Sequence, residues 1–161
     1  MAFSVHVIAD YFIRKVERDA GDNITQLKLQ KLLYYAQAWY LAMYDQPLFS
    51  NKMEAWQHGP VCREIYERFR HLSWNPIPDS ATVSNEQALD GDTLTFLEEI
   101  WEVYGQFSAS KLEQMTHDED PWINARKGIF PGYPSRTLID ENAMRKYYQA
   151  RMLARKRIRA N

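Results

Sequence analysis

At 161 residues, with 45% hydrophobic and 25% charged side chains, the sequence falls in the one-domain globular range and far from the composition of a disordered chain. Its single cysteine, Cys62, excludes an internal disulfide, and no stretch approaches the roughly 18 consecutive apolar residues of a membrane span. The formal net charge is only −1, yet seven of the 20 lysines and arginines crowd into Arg145–Asn161, which has no acid; residues 1–144 then hold 13 basic residues against 21 acids, a balance of −8.

The predicted elements are mostly helices. Ser4 caps a first helix whose Val5, Ile8, Ala9, Phe12, Ile13 and Val16 share one face, and Gly21 provides a left-handed exit. Thr25 caps a longer second helix carrying Leu29, Leu32, Leu33, Ala36, Tyr40 and Met43, with Leu27 and Trp39 widening the stripe. So broad an apolar surface implies burial on more than one side. Asp45-Gln46-Pro47 ends this helix, and Leu48 to Gln57 reads as extended, with alternation around Met53–Gln57. Gly59 allows an unusual turn, and Pro60 is placed to open a helix from Val61 to about Leu72. Residues 73–92 read as a long surface loop, with room for a second strand near Ala81–Val83. Asp92 or Thr93 opens the next helix, which stops at Gly105, and Ser108 or Ser110 caps another, with Ser110 and Glu113 fitting a capping box. Asp120 caps a brief helix with Pro121 in its first turn, and after a loop over residues 129–135 Asp140 caps the last helix, which carries Tyr147, Tyr148 and Leu153. The fold class expected is mainly α: a single compact helical domain over residues 1–161, of about six to seven helices, with an optional two-stranded β element and a basic C-terminal helix or tail from about residue 145. The N-terminal residues lack a signal-peptide pattern, so a cytoplasmic address is expected.

Enzyme signatures are absent from the sequence: there is no phosphate-cradling glycine loop, no Cys or His pair at zinc spacing and no nucleophile elbow. The best chemical candidate is Thr116-His-Asp-Glu-Asp-Pro-Trp122, where a histidine stands among acids. A helix junction explains the same residues, with His117 closing one helix and Asp120-Pro121 starting the next. No catalytic residue, metal or cofactor is therefore expected. The basic residues Arg155, Lys156, Arg157 and Arg159 have three readings: complements to a helix dipole, phosphate contacts, or contacts to an acidic protein. A helix-turn-helix is disfavoured, because the second helix is too apolar to lie in a DNA groove.

Three motifs, in order, resemble the Panacea domain of SocA-like and GepA-like proteins: Leu27-Lys-Leu-Gln-Lys-Leu-Leu-Tyr-Tyr-Ala-Gln-Ala-Trp39, Glu54-Ala-Trp-Gln-His-Gly-Pro-Val61 and Met115-Thr-His-Asp-Glu-Asp-Pro-Trp122. The resemblance spans nearly the whole chain. It implies a mainly helical antitoxin of a type II toxin–antitoxin system, often prophage-borne, that neutralises a cognate protein toxin by direct contact and has no enzymatic activity. Delivery of the toxin to a protease, or regulation through nucleic-acid binding, are the alternatives. Within the motifs Tyr34, Trp39, Trp56, His58, His117 and Trp122 are the candidate partner contacts, and Gln30 and Gln37 add polar groups beside them. Gly59, Pro60, Asp120 and Pro121 are expected to shape turns.

Overall fold

The computed structural model describes the backbone of residues 2–160 and the side chains of these except 86 and 154–160. Arg155, Lys156, Arg157 and Arg159 therefore lie outside the described side chains. The architecture is mainly α with a small two-stranded sheet. Helix α1 spans Val5–Lys15, α2 Gln26–Tyr44, α3 Arg63–Phe69, α4 Gly91–Tyr104, α5 Ala109–His117, α6 Asp120–Ala125 and α7 Glu141–Ala160; strands β1 and β2 are Met53–Trp56 and Gly59–Cys62. No helix among the described residues is long and apolar enough to cross a membrane.

Helix α2 is the spine. Thr25 caps it through the Lys28 amide, and from Leu29 to Ala38 every residue is buried. It packs against α7, α5, β2, α1, α4 and α3, which is why its apolar surface has no solvent face over those turns. It ends where Asp45 turns into the left-handed region at φ 58° and returns its amide to Leu41, so a local backbone reversal, rather than Pro47 alone, stops it.

The segment after α2 departs from the expected layout. Pro60 opens no helix: it pairs with Ala55 inside β2, and α3 starts only at Arg63. The strands form an antiparallel hairpin, with Met53 opposite Cys62 and Trp56 opposite Gly59. The partner of β1 is thus β2, while Ala81 sits in a 3-10 turn over Asp79–Ala81. The other edge of β1 is also used. The Ala55 amide donates to Thr137 at 2.7 Å and the Ile139 amide to Met53 at 2.8 Å, so the chain before α7 lies alongside β1.

Helix starts shift by small steps from the sequence reading. Asp90, not Asp92 or Thr93, caps α4, and Ser108, not Ser110, caps α5. Glu119 holds the cap position of α6 without a capping bond, and Asp120 is already helical. The long loop is fixed to the body by Asp10, whose buried carboxylate pairs with Arg68 at 2.5 Å and accepts the amides of Val83 and Ser84. Burial pushes that carboxyl up, but the bonds from Ser84, Arg68 and Val83 outweigh it and hold it below its ordinary range.

Candidate functional site

The polar residues of α2 are spent inside the fold. The Gln30 side chain accepts the Cys62 amide at 2.8 Å and donates to the Cys62 carbonyl at 3.2 Å, clamping the end of β2. Gln37 does the same for residues 48 and 49, accepting the Leu48 amide at 2.7 Å and donating to the Phe49 carbonyl at 2.8 Å. Such side chains replace ladder partners for chain segments that leave a helix without joining a wide sheet.

Lys31, one residue on, is 0% exposed. Its ammonium donates to the Pro60 carbonyl at 3.2 Å, its one hydrogen bond among the described residues. Burial pushes its pKa down to about 7, against a smaller upward pull from Glu113. The lysine shaft explains the glycine of the hairpin. Gly59 adopts φ +107°, and a Cβ there would stand 2.4 Å from Lys31 Cε and 3.0 Å from Thr116 Oγ1. Backbone sign and close approach both demand glycine.

The hairpin gathers the aromatic residues of the second and third motifs. The Trp122 indole donates to the Trp56 carbonyl at 2.9 Å, while the Trp56 indole donates to Glu54 at 2.9 Å. His117 stacks on Trp122 with ring centroids 4.1 Å apart and also bonds the Gln57 backbone. Burial lowers its pKa, and its Nε2 is buried with no hydrogen-bond partner among the described residues. His58, at the exposed turn, meets Glu113 at 2.7 Å. Trp56, His58, His117 and Trp122 thus share one neighbourhood. Pro121 is buried in the first turn of α6 beside it.

Between this hairpin, the start of α2 and the end of α3 lies an open hollow of about 450 Å³. Leu27 and Val61 give it an apolar base, with Lys31 beneath, and Trp56, Tyr66 and Trp74 form aromatic walls. Trp56 and Tyr66 pack edge to face at 4.7 Å, and Trp74, 70% exposed, turns an edge to His58. The strand-like run beside β1 delivers Pro134, Ser135 and Arg136 to the rim, where the Arg136 guanidinium lies 5.4 Å from the Trp56 ring centroid. Arg70 stands on the α3 side. The sequence reading missed Tyr66, Arg70, Trp74 and Arg136 as members of this site. No local pattern joins residue 136 to residue 56; only the pairing along the outer edge of β1 does.

Tyr34 and Trp39 belong elsewhere. Tyr34 is fully buried and donates to Glu119 at 3.4 Å; Tyr35 donates to the same carboxylate at 2.9 Å, and Tyr148 of α7 donates to it as well. Burial raises the Glu119 pKa, and the hydroxyls of Tyr148, Tyr35 and Tyr34 and the charge of Arg151 pull it back only in part. Trp39 packs on Tyr148 at 4.9 Å and donates to the Tyr104 hydroxyl at 2.7 Å. This cluster joins α2 to α7 through the α5–α6 junction. Among the described residues no group of three His, Cys, Asp or Glu is arranged to hold a metal ion.

The model of the family "Antitoxin SocA-like, Panacea domain" matches residues 29–123, a stretch that holds α2 from Leu29 onward, the hairpin, Tyr66, Arg70, Trp74, His117 and Trp122 but not Leu27 or Arg136. Antitoxin SocA of Caulobacter vibrioides (strain NA1000 / CB15N) is 30% identical over 109 residues, covering 62% of this chain and 58% of that protein. The chain thus spans less than two thirds of that relative's length, and no solved structure matches it. Most of the spine helix, the hairpin and the His-Asp-Glu-Asp-Pro-Trp junction fall in the matched stretch, and the chain belongs to the SocA-like Panacea antitoxin family.

Proposed function

We propose that this chain is a non-enzymatic antitoxin that neutralises a protein toxin by direct, stoichiometric binding. Its contact surface is the aromatic hollow with the two histidine-bearing turns, Trp56–His58 and His117–Trp122. Tyr34 and Trp39 serve that surface from inside, by fixing α2 against α7. The observation that carries the reading is the hollow itself: an open, aromatic-walled depression whose aromatic residues Trp56, Tyr66 and Trp74 fall in the stretch that the antitoxin family model matches, while Leu27 and Arg136 of its lining lie outside that stretch. Tryptophan, tyrosine and arginine are the residues that dominate binding hot spots, because they bury much area and still offer a polar handle. The negative body supports the reading too, since it steers a basic partner toward the chain at low ionic strength.

The test is co-expression with the product of the adjacent gene. That product alone is expected to arrest growth, and the two together to restore growth and co-purify at a fixed ratio. A harmless neighbour, or one that never co-purifies, would remove the support for direct neutralisation. Rescue that vanishes in a protease-deficient host would replace occlusion with delivery to degradation.

A further inference from the structure

The body of the chain is acidic, yet among the described residues no aspartate or glutamate lines the hollow. The lining instead holds Lys31, Arg70 and Arg136, with His58 at the turn. The nearby carboxylates already have partners: Glu54 accepts the Trp56 indole at 2.9 Å and pairs with Arg63 at 3.0 Å, Glu113 meets His58 at 2.7 Å, and Glu67 meets Arg70 at 3.4 Å, the last an exposed pair one helical turn apart. An ion pair of that kind is worth little and is readily exchanged for a better partner. Among the described residues Arg136 pairs with no carboxylate, and its guanidinium lies 5.4 Å from the Trp56 ring centroid. A guanidinium held against an aromatic ring at the mouth of an apolar depression is preorganised for a carboxylate, because the planar fork matches two oxygens and the ring limits the rotamers it must give up.

We infer that the hollow receives an acidic–apolar segment of the protein partner, one apolar or aromatic side chain seating between Trp56, Tyr66 and Trp74 while a neighbouring carboxylate pairs with Arg136 and Arg70 at the mouth. This rests on the direct-binding reading above and specifies what is bound. The volume of about 450 Å³ suits one large side chain and part of its neighbour. A nucleic-acid strand would find the same aromatic and cationic groups, but its continuous charge would run across a body that carries −8 over residues 1–144. A folded partner presenting one or two carboxylates at this mouth meets the local charge without that opposition.

The test uses the full chain and the product of the adjacent gene, with Trp74→Ala, Arg136→Glu and the double variant Arg70→Glu/Arg136→Glu. These side chains are exposed, so melting is expected to stay close to that of the parent chain. Affinity for the adjacent-gene product is expected to fall about tenfold or more for each single change and further for the double, with growth rescue failing in step. The deficit of Arg136→Glu should shrink at high salt, whereas that of Trp74→Ala should persist. If the parent chain binds and all three variants bind equally well, the hollow is not the docking site, while direct neutralisation stands. If the parent chain fails to bind, both readings fall. Loss of binding to a labelled single-stranded oligonucleotide, with toxin binding intact, would overturn the proposal in favour of nucleic acid.

Discussion

Replacing Glu119 by alanine is expected to lower the unfolding free energy by about 3–5 kcal/mol, since it strands several buried hydroxyls at once. Tyr34, Tyr35 and Tyr148 all direct their hydroxyl groups to this one carboxylate, and each lies within the core. Removing a shared acceptor leaves donors that water cannot reach, and that penalty exceeds the modest net worth of the bonds themselves. The loss falls on the contact between α2 and α7. Glu119→Gln keeps one carbonyl acceptor but presents an amide donor to hydroxyls that must rotate to accept it, so about 1–2 kcal/mol is expected there. Chemical denaturation of the two variants checks this. An alanine variant within 1 kcal/mol of the parent would mean that the tyrosines find other partners and that Glu119 is not the knot between the helices.

Lys31→Met is expected to act in the opposite direction. The ammonium is fully buried, with its pKa held near 7 by burial, whereas the unfolded chain titrates near 10.5. Between those values the unfolded state binds more protons, so the lysine contribution makes stability rise with pH from about 7 to about 10.5. Below about pH 7 its full unfavourable contribution is present. Methionine keeps the length of the shaft beneath Gly59 and removes the charge, and a gain of about 1–4 kcal/mol at pH 7 is expected, shrinking as pH rises toward 10. Glu113, His117 and His58 face the same region, and burial pushes the hydroxyls of Tyr34, Tyr35 and Tyr148 and the Cys62 thiol upward. The difference between variant and parent, measured from pH 7 to 9.5, isolates Lys31 from them. A methionine variant that is less stable at pH 7, with an unchanged pH slope, would show that the bond to the Pro60 carbonyl outweighs desolvation.

The legible parts of this fold were those with a periodic signal. The inward Val5, Ile8, Ala9, Phe12 and Ile13 of α1, the cap at Thr25 and the burial of α2 on more than one side follow from spacing and capping chemistry, whereas Met43, placed on the same stripe, is 44% exposed near the helix end. The His-Gly-Pro turn was harder. Pro60 in isolation suits the first turn of a helix, but Gly59 at positive φ reverses the chain, and the preceding strand captures residues 59–62 before a helix can form. Propensity lost there to a ladder of four residue pairs. Glu119 reads as a helix-start acid, and nothing local reveals that three tyrosines, two from one helix and one 29 residues later, converge on it. Lys31 did leave a trace: a cation inside Leu-Gln-Lys-Leu-Leu-Tyr-Tyr-Ala, on a helix whose apolar stripe is wide enough for burial on more than one side, has little solvent face to occupy. The hollow was not legible, because its walls come from four separate segments brought together by the hairpin and by the run alongside β1.

The proposed direct neutralisation requires that this chain form a complex with the product of the adjacent gene. Purified chain titrated with the purified product of the adjacent gene, followed by calorimetry and by the tryptophan fluorescence of the hollow, reads this without a cell. Saturable binding at a fixed ratio is expected, with a change in emission that Trp74→Ala reduces and with a dissociation constant below about 10⁻⁷ M, as specific interfaces of standard size reach. Growth rescue in cells accompanied by no detectable complex in this titration would contradict direct neutralisation.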